Sequence, residues 1–271
     1  AADGSGRSSY VLPPKGGEGI GPSLKHQASR QRVGNYDKLS FDEFESWVSS
    51  YPTTACPAIT DTCATLEKLI ASFDPSKSAG WSSNARPGTK CVWMEGDARS
   101  ALIELTLCRL IMRAVYSPTL GNMTPAEMCE RGLTDPRVLF TKSEAHTLEK
   151  ADDERWRLIW SISVVDALCQ LIPHNAQNKA DVAAYQDGSL NLQGIGMGHH
   201  DEGIQRTGAM FEWLAELGLK LESSDASGWD LSVCRDAIML DAERRMRLSE
   251  LTDPKELDTL RFLLYTEGLC N

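Results

Sequence analysis

The stretch Asp97–Tyr116 most constrains the fold. Ala101, Leu102, Leu105, Cys108, Leu110, Ile111 and Val115 recur along it at near-helical spacing, which predicts a long helix. Shorter helices are expected over Phe41–Ser49, with Ser40 as N-cap and Glu43 three residues on, and over Thr60–Ser72. Another is expected over Thr124–Arg131, opened by Thr124-Pro125. Ser163–Tyr185 reads as helical with an interruption around Pro173, because proline removes a backbone donor and crowds the preceding turn. Gly203–Leu217 (ending at Gly218), Leu231–Leu248 and Pro254–Tyr265 complete the helices. Strands are few: Arg137–Thr141 and Arg157–Ile162 flank a charged turn, and Lys220–Ser224 is a short one. The expected fold class is α+β, helix-rich, without internal repeats.

The 271 residues suffice for one large domain or two small ones with a sizeable core. Hydrophobic residues make up 41%, and no apolar run reaches the roughly 18 residues needed to cross a membrane. The chain opens Ala1-Ala2-Asp3, with no initiator Met and no charged-then-apolar leader, so a processed product or an excised piece is expected. Residues 1–35 are rich in Gly, Ser and Pro and are expected to be a flexible linker, Ala1–Gly21 in particular. With 28 basic and 38 acidic residues the net charge is −10, so any nucleic-acid site must be a local basic patch. Among eight cysteines no Cys-x-x-Cys pair occurs, which argues against a zinc site. Cys108, Cys169 and Cys234 fall inside apolar helical patterns and are expected as buried free thiols in a reducing compartment.

Two segments carry candidate chemistry. In Ser224-Asp225-Ala226-Ser227-Gly228-Trp229-Asp230, two carboxylates lie five positions apart between a predicted strand and a helix. An Asp at a strand end can hold a divalent ion, and Mg²⁺ takes one or two carboxylates per ion. A second Asp one tight turn later points nearby, where a ribose 2′-OH could donate to it. Gly228 would allow the turn and Trp229 would anchor it. The plain alternative is a surface turn. A calcium loop fails, because Asp230 stands where its sixth-position glycine would be.

The second segment runs from Lys142 through Glu144, His146 and Lys150 to Arg155-Trp156-Arg157-Leu158. As a strand, Arg155 and Arg157 would share one face and Trp156 and Leu158 the other. A row of Arg and Lys suits a triphosphate. The plain alternative is a solvated, charge-balanced hairpin, since Glu149, Asp152, Asp153 and Glu154 interleave with the bases. His146 reads as structural. Gly194–Gly198 lacks the full dinucleotide-binding spacing, and His199-His200 has no evident third metal ligand.

Taken in order, about seventy residues apart, these segments resemble the viral RNA-directed RNA polymerases of the sobemovirus–polerovirus-like group. The run from Lys142 through Arg157 to Asp166 looks like the fingers motif F and its sequel, with Ala145 where proline is usual. Gln177-Asn178-Lys179 and Gly194–Gly198 fit the stretch that follows. Ser224–Val233 looks like palm motif A, and Ser76–Gly80 like motif G at the template entrance. The resemblance covers roughly residues 70–245. It implies a partial right-hand polymerase, with fingers over 36–219 and the start of the palm over 220–271. It implies Asp225 as ligand of Mg²⁺ (or Mn²⁺), Asp230 as the ribose-selecting residue, and Arg157, Arg155, Lys142 and Lys150 as phosphate contacts. Ser76, Ser78 and Gly80 would border the template, with RNA and NTPs as partners. The implied setting is the host cytoplasm, at membrane-associated replication sites.

No Gly-Asp-Asp occurs in the 271 residues, and no motif B loop follows Val233. The chain alone is therefore expected to have little or no polymerase activity, with the remainder in a longer product or another chain. Two alternatives stay open at this level: a non-catalytic RNA- or partner-binding module of a split polymerase, and an unrelated helical interaction protein.

Overall fold

Leu102, Thr106, Arg109 and Arg113 stand at i, i+4, i+7 and i+11 of one 25-residue helix, and all four are buried. In this computed structural model that helix, Gly96–Leu120, is the centre of the fold. The described residues are 9–29, 41–49, 51, 62–82, 88–186, 200–220, 222, 233 and 235–270. Among them the elements are β1 (Tyr10–Val11), α1 (Ile20–Ser29), α2 (Phe41–Ser49), α3 (Thr62–Ala71), α4 (Gly96–Leu120), α5 (Pro125–Glu130), β2 (Val138–Thr141), β3 (His146–Thr147), α6 (Leu148–Asp152), β4 (Leu158–Ser161), α7 (Val164–Gln186), α8 (Asp201–Glu216), α9 (Arg235–Leu248) and α10 (Pro254–Cys270). A short 3₁₀ turn, Lys90–Trp93, precedes α4.

The apolar face of α4 packs between α3 and α7. Leu66, Leu69, Ile70, Phe73, Leu102, Val164, Val165, Leu168, Ile172 and Leu263 form the main core. Two antiparallel two-stranded sheets lie at its edge, β1 with β3 and β2 with β4. The β2–β4 register pairs Val138 with Ser161 and Thr141 with Leu158. A second cluster joins α2 to α9 through Phe44, Val48 and Leu248. Arg244 extends it, lying 4.3 Å over the Tyr51 ring while pairing with Asp241 at 2.8 Å.

Beneath the apolar core lies an ionic one. Arg109 donates to both oxygens of Asp135, at 2.9 and 3.1 Å, and to Asp166 Oδ1 at 2.7 Å. Arg113 donates to the same Asp166 oxygen at 3.1 Å, to the Leu133 carbonyl at 2.9 Å and to Glu267. Asp166 Oδ2 accepts from the Asp135 amide at 2.7 Å and the Thr134 hydroxyl at 3.1 Å. Burial pushes the Asp135 carboxyl upward, but Arg109 and the Ser163 and Ser82 hydroxyls outweigh it and hold the group below its ordinary value. Burial likewise works against the Arg113 charge, and Glu267 outweighs it.

Several expectations are corrected. Cys108 is exposed, as are Ile111 at 63% and Val115 at 69%, so only part of the apolar series of α4 faces inward: Leu102 is in the core, with Leu105 and Leu110 packed against it. The inward stripe also carries two arginines, tolerable there because every charge is paired. Helix α7 runs unbroken through Pro173. A proline inside a helix forfeits one backbone bond, and Leu168 and Ile172, packed in the core just before it, hold that part of the helix in place. Helix α10 continues past Tyr265 to Cys270, its last turns held by buried Thr266, Glu267 and Cys270. Cys169 is buried as expected, and Cys234 lies outside the described residues. Within the stretch expected as a linker, residues 9–29 carry β1 and α1 and dock on the β2–β4 region. They are held there by the pairing of β1 with β3 and by the Ser23 hydrogen bonds to Glu154 and Trp156.

Truncating one member of the buried ion set strands its partners, so Asp166→Ala should lose about 3–5 kcal/mol in urea unfolding. Arg247→Ala, which removes exposed pairs with Glu45 and Glu243, should lose under about 1 kcal/mol. Burial and the nearby Arg245 push His174 down to about 4. A depressed histidine contributes stability that is complete above about pH 6.5 and is lost as pH falls toward 4. His174→Asn should flatten the fall of thermal midpoint over that window.

Candidate functional site

Strands β2 and β4 are joined by residues 142–157, and the burial alternates as the sequence suggests. Trp156 and Leu158 are buried, while the Arg157 side chain is 63% exposed. Strand pairing begins only at Leu158, so Arg155 and Arg157 precede the strand rather than sharing a pleated face of it. Each has its own acidic partner. Arg155 pairs with Glu149 at 2.7 Å and Asp153 at 2.8 Å. Arg157 lies a loose 3.7 Å from Glu144, whose other oxygen takes Lys142 at 2.8 Å. The Lys142 hydrogen bond, with the Arg157 charge, holds the Glu144 carboxyl below its ordinary value. Lys150 stands on α6, which the Thr147 hydroxyl caps. Lys142 and Arg157 thus converge on one carboxylate, while Arg155 turns back onto its own hairpin.

His146 supports this arrangement from below. Its Nδ1 lies 2.8 Å from the Glu144 carbonyl, and its Nε2 accepts the Arg157 amide at 3.2 Å. The ring meets Trp156 edge-on at 5.3 Å. With its ring both bonded and buried, the residue is structural, as expected.

The loop 74–82 abuts the exit of the hairpin. The Asp74 carboxylate accepts from the Ser76 amide at 2.9 Å and its hydroxyl at 2.6 Å. Ser78 bridges to Thr89, and its hydroxyl accepts the Gly80 amide at 3.1 Å. Gly80 has φ +70°, and a Cβ there would stand 2.2 Å from the Ile162 carbonyl oxygen. The Val164 amide donates to the Ala79 carbonyl at 2.8 Å. The structure therefore brings Gly80 against the residues that follow β4, with Ser76 and Ser78 shaping the same loop.

Asp225 and Asp230 lie outside the described residues, as do Gly194–Gly198. Among the described residues no group of three or more His, Cys, Asp and Glu could hold a metal. His200 caps α8, its Nδ1 accepting the Gly203 amide at 3.1 Å. No helix of the described residues is long and apolar enough to cross a membrane. Sequence reasoning missed Glu144 as the shared partner of the cations, although its position between Lys142 and His146 was a signal. It also missed the contribution of α1, for which the sequence carries no local signal.

The chain is 32% identical over 134 residues to the "RNA-directed RNA polymerase" of Mushroom bacilliform virus, covering 49% of this chain and 31% of that protein. It is 34% identical over 127 residues to the "Replicase polyprotein P2AB" of Southern cowpea mosaic virus, covering 46% of this chain and 13% of the polyprotein. It is 30% identical over 157 residues to "Protein P1-P2" of Potato leafroll virus, covering 55% and 14%. The chain spans less than a third of the length of each of these relatives. No protein-family model and no solved structure matches it. Over about half its length, the chain is a relative of the RNA-directed RNA polymerases and replicase polyproteins of sobemovirus- and polerovirus-like viruses.

Proposed function

We propose that this chain forms the fingers and the start of the palm of a viral RNA-directed RNA polymerase with a right-hand fold. The observation that carries the reading is the exposed end of the hairpin. Arg157 and Lys142 face outward there and share the single carboxylate of Glu144. A triphosphate, with several anionic oxygens, displaces one carboxylate held at 3.7 Å and takes the guanidinium in bidentate fashion. In this reading Lys150 adds a further positive charge, and Arg155 stiffens the bend through Glu149 and Asp153.

The chemistry is attack of an RNA 3′-hydroxyl on the α-phosphorus of the incoming nucleotide, with pyrophosphate leaving. Cationic groups beside the β- and γ-phosphates stabilise charge that grows on the leaving group. Asp225 is the proposed ligand of Mg²⁺ (or Mn²⁺), which supplies Lewis-acid assistance to such a displacement. Asp230 accepts from the ribose 2′-OH and thereby selects ribose. The loop containing Ser76, Ser78 and Gly80 borders the RNA template. The second carboxylate motif is absent from these 271 residues, so the proposed catalyst includes further polymerase sequence and the chain by itself does not polymerise. The proposed setting is the host cytoplasm, at membrane-associated replication sites.

In an active polymerase that includes this chain, Arg157→Ala should raise the nucleotide KM roughly 10–100-fold, the loss of one charge-assisted phosphate contact. Asp225→Asn should reduce primer extension to background with the fold intact, and unaltered extension would sink the metal assignment. Asp230→Ala should narrow the preference for ribonucleotides over deoxyribonucleotides, read as the ratio of their kcat/KM values.

A further inference from the structure

Just before β4, the charged hairpin reverses through Glu154, whose φ of +53° is left-handed. A glutamate persists in that region only where its surroundings over-determine it. Part of that support is local: the Glu154 amide donates to the Ala151 carbonyl at 2.9 Å, and the Arg155 amide to the Lys150 carbonyl at 2.7 Å. The rest comes from 131 residues earlier. The Ser23 hydroxyl, on α1, donates to the Glu154 carbonyl at 2.6 Å and accepts the Trp156 amide at 2.9 Å. One oxygen thus satisfies the backbone groups on both sides of Arg155. Ser23 is 1% exposed, so no water competes for either bond.

The neighbouring contacts seat α1 at that place. A Cβ on Gly19 would lie 2.4 Å from Trp156 Cδ1 and 2.8 Å from its Nε1, so the helix start approaches the indole as only glycine permits. Strand β1 pairs Tyr10 with Thr147 and Val11 with His146. From Ser23 a continuous path of contacts leads to Arg157: the hydroxyl holds the Trp156 amide, the Trp156 ring meets His146, and His146 Nε2 accepts the Arg157 amide.

We infer that residues 10–29 clamp the hairpin and that Ser23 is a positioning residue for Arg157 toward the nucleoside triphosphate. This rests on the nucleotide-binding reading of the hairpin. Ser23 touches no reacting atom. It holds the Glu154–Trp156 bend so that Arg157 projects outward before a ligand arrives, and phosphate binding need not order the backbone.

The test combines hydrogen exchange of the Trp156 amide in the 271-residue chain with NTP kinetics in an active polymerase that includes it. Ser23→Ala leaves that amide without its acceptor; exchange should quicken at least about tenfold and the NTP KM should rise about tenfold, with kcat within about twofold. Adding Glu154→Gly, which occupies the left-handed region without strain, should return KM to within about twofold of the parent. Unchanged exchange in Ser23→Ala overturns the clamp. Faster exchange with an unchanged KM overturns the positioning role. So does a fall in kcat matching the rise in KM without rescue by glycine, which would mark general damage. Arg157→Ala separates the two readings: if it leaves KM unaltered, the nucleotide assignment fails, and the exchange measurement alone decides the clamp.

Discussion

Two arginines buried along one helix impose the architecture. Arg109 and Arg113 cannot be buried unless carboxylates meet them, and those carboxylates come from three other places: Asp135 before β2, Asp166 in the first turn of α7, and Glu267 near the end of α10. An unpaired charge at such depth costs several kcal/mol. Any arrangement that displaces one of these elements therefore strands a charge. The apolar core makes collapse favourable, but apolar contact has no direction. The ion set has direction, and it specifies which end of α7 and which turn of α10 lie against α4. The same set reaches the candidate site, because Asp166 begins the helix that leaves the hairpin and Ser82 closes the loop after Gly80.

Much of this was legible in the sequence where the signal was local. The β2–β4 hairpin was legible as two short strands flanking a charged turn, and the start of α5 from Thr124-Pro125; the capping box that Glu127 completes there is added by the structure. Local periodicity found helix α4 but only part of its buried face. Apolar side chains sat on both sides of it, and the deciding residues were charged ones that a hydrophobic count treats as outward. Leu102, Thr106, Arg109 and Arg113 do follow helical spacing, so a search for paired charges on an otherwise buried stripe would have found them. Pro173 misled for the opposite reason. Its local penalty is real, and packing along both sides of α7 exceeds it.

Of the candidate site, the cations were legible as residue types around a charged turn, and Gly80 only through the resemblance of Ser76–Gly80 to motif G. Their partners were not. Glu144 stood in the run from Lys142 to His146 with no role assigned, and only the structure shows it shared by Lys142 and Arg157. Ser23 lies in a stretch of low complexity, and nothing in its neighbours points to a bend 131 residues away. Contacts of that range depend on the assembled fold, which a reading by motif and period does not contain.

The buried charges also reshape the surface. Among the described residues Arg109, Arg113, Arg244 and Arg245 are buried, as are Asp135, Asp166, Asp181 and Glu267. Four cations and four carboxylates cancel, so the core is formally neutral and the net charge of −10 belongs to the remainder of the chain. A polyanion approaching this protein meets a repulsive far field. Beyond about 10 Å that field is screened at 0.1 M salt. Under the proposed nucleotide reading, added salt then acts in two opposed ways, easing the long approach of an anion while loosening its close contacts at Lys142 and Arg157. For a triphosphate bound as proposed, the salt dependence should accordingly be shallower than on a basic protein with the same number of phosphate contacts.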